Sequence, residues 1–350
     1  MKMASVGFSG LIRGFKGISI DSFNVKNLVN CSRFFLSHCH ADHMENIKGF
    51  ISKARDNPDL RLFCTLESSI ILRNKFYRPN WKHQDKNALE SVIRTLKMGM
   101  SYTILVPEHE YETNVTVLPA FHCAGSCMYL FKRNDHRVLY TGDFRFQKHE
   151  LANIRALHEN NGATIALDTV YLDTTFFKQA SNHFPSRKAV LKMIIQEIDD
   201  FLEKFKTGSV FITRPYYLGS EIIIRALSKK YKCPVHVEWH AYKLYKGIRE
   251  VFPFITTNAR NTFIHLRTRY ANGKQTIEGQ NALQVHASAM WYARNGKSRK
   301  WIQRDDQGRV KIAHSTHSSR SELSEFIKYF KPHSAVAISI PSGYSQKEVR

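Results

Sequence analysis

Short apolar runs that end in polar turns dominate the first third of the chain. Ile18–Ile20, Ser32–His38 (SRFFLSH), Arg61–Thr65, Thr116–His122 and Arg137–Phe144 are β-rich, and the longer ones run into turns carrying His, Asp or Gly. They predict strands whose C-terminal ends present chemistry-bearing side chains. The middle of the chain changes period. Val190, Leu191, Ile194, Ile195, Ile198, Phe201, Leu202 and Phe205 fall on one helical face, so Arg187–Lys206 reads as an amphipathic helix. Strand Ser209–Thr213, helix Ser220–Lys230 and strand Pro234–Glu238 follow, an alternation that predicts a parallel α/β unit. Near the end, Ser319 and Glu322 have capping-box spacing. Leu323, Phe326, Ile327 and Phe330 mark the helix behind them, and Ala335–Ile340 reads as a last strand.

Composition narrows the class. With 350 residues, 43% of them hydrophobic, the chain can build a packed core, and its length suggests two domains. Disordered, collagenous and coiled-coil classes are excluded. No apolar run approaches the ~18–20 residues of a membrane span. The N-terminal stretch has scattered basic residues without a continuous apolar core, so no secretory signal is expected. Cys31, Cys39, Cys64, Cys123, Cys127 and Cys233 are irregularly spaced, which fits reduced thiols of the cytosol or nucleus. The net charge of +22 calls for a polyanionic partner, nucleic acid ahead of a membrane surface. Residues 174–313 carry 25 Lys plus Arg against 10 Asp plus Glu, most of that excess.

The densest chemistry is His38-Cys39-His40-Ala41-Asp42-His43, an H-x-H-x-D-H hexapeptide whose chance occurrence in such a chain is on the order of 10⁻³. His38 and His40 alternate at a strand end, so both imidazoles can leave on one side. Asp42 and His43 lie in the following turn. Imidazole and carboxylate suit Zn²⁺. His122 closes TVLPAFH and Asp143 closes HRVLYTGDF, giving six candidate ligands in two groups, enough for two ions. Asp21, after the first strand, is a candidate acceptor for a ligand imidazole, with a plain turn aspartate as the alternative.

In the order Asp21, H-x-H-x-D-H, His122, Asp143 the chain resembles the metallo-β-lactamase fold, a four-layer αββα sandwich with metals at one edge of its two sheets. The resemblance implies one firmly held Zn²⁺ on His38, His40, His122 and Asp143. It implies a second, weaker ion on Asp42, His43 and a bridging Asp143, with metal-activated water as nucleophile. Tyr171–Phe176 (YLDTTF) is similar to motif A of the β-CASP nucleases. Ser315–Glu322 (STHSSRSE) is similar to their motif B, in the form of the DNA cross-link repair branch. ISID, FLSHCHADHM, LYTGDFR, SAMWY, SRK and HSSRSE extend the likeness through most of the chain. The basic segment sits where that family inserts its β-CASP domain. The expected architecture is α/β: residues 1–173 and 314–350 as the catalytic sandwich and 174–313 as the insert, with the active site in the cleft between them.

The function so implied is a nuclear, zinc-dependent DNA nuclease acting on ends, single-strand/double-strand junctions, overhangs or hairpins. A 5′-3′ exonuclease of the same branch is the alternative. A non-catalytic DNA-end-binding scaffold is the alternative of another class. Small-molecule hydrolysis would leave the charge and the motif B serines without purpose. RNA-cutting members carry a ligand histidine on the strand that corresponds to Ala335–Ile340, which has none. Repair-complex partners are not legible in these motifs, and no membrane partner is expected.

Residue roles follow from the same resemblance. His317, oriented by Asp173, is the candidate general acid, and Asp42 counts as catalytic as well as ligating. Ser318, Ser319 and Ser321 open a helix and can cradle phosphate, Ser319 also as cap. Tyr217, Gly219 and Glu221 belong to a loop that faces substrate in relatives, with an ordinary first-turn glutamate as the alternative for Glu221. Arg294, Lys297, Arg299, Lys300 and Arg304, among Trp291, Tyr292 and Trp301, mix charge with stacking faces suited to frayed DNA. In the hairpin-opening branch, histidines in the contexts of His236 and His265 join two cysteines around a structural zinc. Here Arg267 stands at the first expected cysteine and no cysteine follows Cys233, so the two histidines read as structural.

Overall fold

Strand pairing turns the apolar alternation of the first third into two stacked sheets. The computed structural model describes residues 8–76, 81–177, 182–268, 281–294 and 300–339. The chain divides into two units, Met1–Phe177 with His317–Arg350, and Lys178–Thr316. In the first unit β1 (Ile18–Ile20), β2 (Arg33–Phe35), β3 (Arg61–Thr65) and β4 (Ile93–Leu96) lie side by side, all parallel. Parallel neighbours need crossovers. These are α1 (Val25–Asn30), α2 (Ile47–Asp56), and α3 (Leu66–Phe76) with α4 (His83–Val92).

The second sheet contains β5 (Ser101–Val106), β6 (Tyr111–Pro119), β7 (Cys127–Arg133), β8 (His136–Tyr140), β9 (Thr169–Leu172) and β17 (Ser334–Ala337). Its order among the described residues is β17-β9-β8-β7-β6-β5, with β5 to β8 an antiparallel meander and β8, β9 and β17 parallel. The core lies between the sheets. Ile18, Ile20, Phe35 and Phe63 meet Val115, Val117, Tyr129, Phe131 and Tyr140. Each such side chain contributes about 1.5–3 kcal/mol by leaving water.

Outside the second sheet, Leu118, Met128, Leu130 and Leu139 pack with Leu151 of α5 (Lys148–Leu151) and with Leu323, Phe326 and Phe330 of α10 (Arg320–Phe330). Outside the first, Phe34 stacks on Phe23 (5.7 Å, 13°) and meets Phe50 of α2. The layers are αββα, as the sequence leads one to expect.

The second unit is α/β. It contains α6 (Arg187–Phe205), α7 (Glu221–Tyr231), α8 (Trp239–Tyr245) and α9 (Ala289–Arg294). Its strands are β10 (Ser209–Arg214), β11 (Val235–His236), β12 (Ile255–Thr256), β13 (Ile264–Thr268), β14 (Ala282–Ala287), β15 (Ile302–Arg304) and β16 (Val310–Ile312). Their order is β12-β11-β13-β10-β14-β16-β15, parallel except β15 against β16, among the described residues. No helix of the described residues is long and apolar enough to cross a membrane.

Three expected strands stop short of their functional ends: β2 at Phe35, β6 at Pro119 and β8 at Tyr140. Beyond those points the backbone bonds irregularly, Leu36 N–H to Phe63 O and Cys127 N–H to Ser37 O. The site residues therefore stand on loops. Helices α2, α3 and α4 have no counterpart in the sequence reading. The buried face of α3 carries Ser68 and Ser69 beside Ile71 and Leu72, which dilutes the apolar stripe. The strand read as Pro234–Glu238 shrinks to β11. That read as Ala335–Ile340 becomes β17, with Ile340 outside the described residues.

Candidate metal centre

Loops leaving β2, β6 and β8 bring His38, His40, His122 and Asp143 together. One ligand atom from each lies within 4.8 Å of all the others. His40 Nδ1 is 3.0 Å from both His38 Nε2 and His122 Nε2. Asp143 Oδ2 is 3.5 Å from His38 Nε2 and 3.4 Å from His122 Nε2. Four donors around an ion at ~2.05 Å, in a regular tetrahedron, stand ~3.3 Å apart. Three imidazoles and one carboxylate at this spacing fit a zinc-sized ion.

Electrostatics prepare the donors. Burial, then His43, holds His38 well below the usual histidine range. Burial also takes His40 down to about 3. Both rings are thus neutral, the form that binds metal. Burial alone would raise Asp143, but His43, His317 and His122 outweigh it and hold the carboxyl well below its usual range.

His43 sits beside this cluster, Nε2 3.3 Å from Asp143 Oδ1. Its Nδ1 is 2.8 Å from Asp21 Oδ2. Asp21 also accepts from Ser37 N–H, Ser37 Oγ and Tyr140 Oη at 2.7, 2.5 and 2.9 Å. It is thereby fixed as the orienting acceptor for His43. Gly142, at φ +52°, makes room for this arrangement, because a Cβ there would fall 2.6 Å from Ser37 Oγ. Asp42 stands apart. Its side chain is 66% exposed, Oδ2 3.9 Å from His43 Nε2, and it joins none of the close donor groups found among the described residues.

His317 approaches from the turn before α10. Its Nδ1 lies 2.8 Å from Asp173 Oδ2 and 3.8 Å from Asp143 Oδ2. Burial pulls its pKa down, yet Asp173 and Asp143 more than offset this and bring it to about 9. Asp173 is held in turn, since Oδ1 accepts from Thr175 N–H at 2.9 Å and Thr175 Oγ1 at 2.6 Å.

Other expected contacts fall elsewhere. Ser318 Oγ donates to Phe144 O at 3.1 Å, and Ser319 caps α10 in a complete capping box with Glu322. Both serines are buried, and their hydroxyls hold the loop that carries His317. Ser321 is partly exposed on the first turn of α10. Tyr217 and Glu221 are buried in the second unit. Tyr217 Oη donates to Glu238 at 2.9 Å, and Glu221 accepts from Gly219 N–H and Tyr245 Oη. These bonds pack the two side chains into the second unit. Lys300 is exposed, whereas Lys297 and Arg299 lie outside the described residues.

Four positions carry weight that the sequence reading missed. Arg145 is wholly buried and donates from Nε and Nη2 to Glu322 at 3.2 and 3.0 Å, tying the Asp143 loop to α10. Ser126 Oγ accepts from His122 N–H and Cys123 N–H, both at 3.1 Å. Ser37 and Tyr140 hold Asp21. All but Ser126 lie inside the matching stretches FLSHCHADHM and LYTGDFR, the available signal.

Comparison with known proteins places the chain in a family. A beta-lactamase superfamily domain matches residues 22–193, and a DNA repair metallo-beta-lactamase domain matches residues 250–343. Human protein artemis is 30% identical over 98% of this chain and 50% of its own length. The chicken protein is 31% identical over 98% and 49%. The rat 5′ exonuclease Apollo is 28% identical over 92% and 53%. The chain thus spans about half the length of these curated relatives. A crystal structure of an Enterococcus faecalis V583 protein of unknown function superposes with a TM-score of 0.51 at 16% identity. The overlap covers 89% of this chain and 77% of that one, a likeness of fold alone. The chain belongs to the metallo-β-lactamase superfamily, among its DNA repair metallo-β-lactamase members.

Proposed function

We propose that this protein is a zinc-dependent nuclease of the nucleus that hydrolyses DNA phosphodiester bonds at ends, overhangs or hairpins. The observation that carries the reading is the convergence of His38, His40, His122 and Asp143 beside the Asp173–His317 pair. The DNA repair domain match and the +22 charge support DNA as substrate.

His38, His40, His122 and Asp143 hold the tighter ion. His43, Asp42 and Asp143 would hold a weaker one, consistent with the exposure of Asp42. Zinc in this position supplies Lewis acidity toward a phosphoryl oxygen and activation of water. Asp21 fixes the tautomer and direction of His43. Asp173 accepts from His317 Nδ1–H, so Nε2 is the atom that passes a proton to the departing sugar oxygen. Asp173 raises the pKa of that ring and so favours the protonated form that a general acid requires. Ser321, Arg299 and Lys300 are the remaining candidates for phosphate contacts.

A 5′-3′ exonuclease is the second reading, favoured by the likeness to rat Apollo. The test is purified protein with zinc, then with chelator, on hairpin, overhang, 5′-phosphorylated and 5′-blocked single strands. Zinc-dependent cleavage that Asp143→Asn and Asp42→Asn abolish, with folding retained, is expected. Cleavage confined to unblocked 5′ ends would select the exonuclease. Chelator-insensitive cleavage, or none on any DNA, would refute the proposal.

A further inference from the structure

The second unit carries an aromatic surface that the metal centre does not use. Trp239 opens α8 and is 68% exposed. Large exposed rings in a folded protein mark contact surfaces when they cluster. The Trp239 indole lies on the Tyr242 ring, centroids 5.8 Å apart and planes at 18°. Tyr242 rests on Phe252 at 4.9 Å. Tyr242 thus braces the indole on one side while most of the residue remains exposed.

The mount is rigid. Glu238, which precedes Trp239, accepts from Tyr217 Oη, and His240 sits edge-on to the Tyr217 ring at 5.1 Å. Tyr245, at the other end of α8, donates to Glu221 Oε1 at 2.9 Å. The indole is therefore presented from a short helix fastened at both ends.

The surroundings choose the occupant. Lys243 stands one helical turn from Trp239, on the same face. The segment 174–313 has its 25 basic residues against 10 acidic ones. An apolar protein partner would not select such a field, whereas a polyanion with flat rings would. Sequence-tolerant single-strand binding joins those two elements, a stacking ring and a basic track.

We propose that Trp239, braced by Tyr242, stacks an unpaired nucleobase of single-stranded DNA, with Lys243 beside the flanking phosphate. The inference rests on DNA being the substrate and names the single-stranded part of that substrate as what the second unit reads. Every nucleobase has a π face, so the platform holds overhangs of any sequence.

The test uses the whole chain and fluorescence anisotropy on two probes: an oligo-dT strand of about 15 nucleotides and a blunt duplex of equal length. Trp239→Ala should weaken the single strand by about tenfold, Trp239→Phe by much less, and neither should change duplex affinity. Equal affinity of Trp239→Ala and wild type for oligo-dT would overturn the platform, as would equal weakening on both probes. Wild-type protein that bound neither probe would instead overturn the DNA reading beneath it. A thermal melt of each variant matching wild type certifies that the fold is intact.

Discussion

Asp173 and His317 are 144 positions apart in sequence, yet their side chains form one 2.8 Å contact. That contact makes a sharp prediction. His317→Ala should lower kcat by about 10²–10⁴-fold, the range for a lost general acid, without loss of zinc. A substrate with a p-nitrophenolate leaving group needs no proton, so the deficit should shrink on it. A deficit of equal size on both substrates would remove His317 from that role. Arg145 supports a second prediction. Arg145→Met leaves Glu322 without its buried partner and should cost about 3–5 kcal/mol in denaturant unfolding. Arg145→Lys, which keeps a charged donor for Glu322, should lose less. At this scale the hexapeptide is legible because its donors are local in sequence. The Arg145–Glu322 pair spans 177 positions, and no local pattern announces it.

Elements were legible where one face is uniformly apolar. Arg187–Phe205 and Glu221–Tyr231 lie within one residue of the sequence reading. α3 escaped it because serines share its buried face, and the strand ends at His38, His122 and Asp143 were overextended because loop backbones there bond outside the ladder. β11 and β13 give a test at this level. His265 stacks on Phe211 (4.9 Å, 22°), with Nδ1 3.2 Å from His236 Nδ1. Burial, then His236 and Arg267, pushes His265 down from 6.5 to about 4. As pH falls below about 6.5 the unfolded chain takes a proton that the folded one refuses until about 4. This group's contribution is therefore whole above that window and is lost as pH falls through it. His265→Phe should flatten that part of the acid limb in urea unfolding. Parallel loss in wild type and variant would show that His265 is not responsible.

For the molecule as a whole, the charge and its concentration in residues 174–313 are legible in the sequence. Which residues of β2 and β7 face each other is not legible there, because it is decided by partners far apart, such as Phe35 and Phe131. A charge of +22 predicts that DNA affinity falls steeply with salt. For 6–10 phosphate contacts the loss is about 10³–10⁵-fold between 50 and 200 mM. A flat dependence would mean that the basic surface does not hold the backbone.

Metal content tests the central claim most directly. Protein purified in zinc-supplemented buffer, desalted and measured by elemental mass spectrometry should retain about one zinc or more per chain. His122→Ala, folded by circular dichroism, should lose the tightly held ion. Wild-type protein carrying no metal, or a His122→Ala variant that keeps it as tightly, would contradict a metal centre at this cluster.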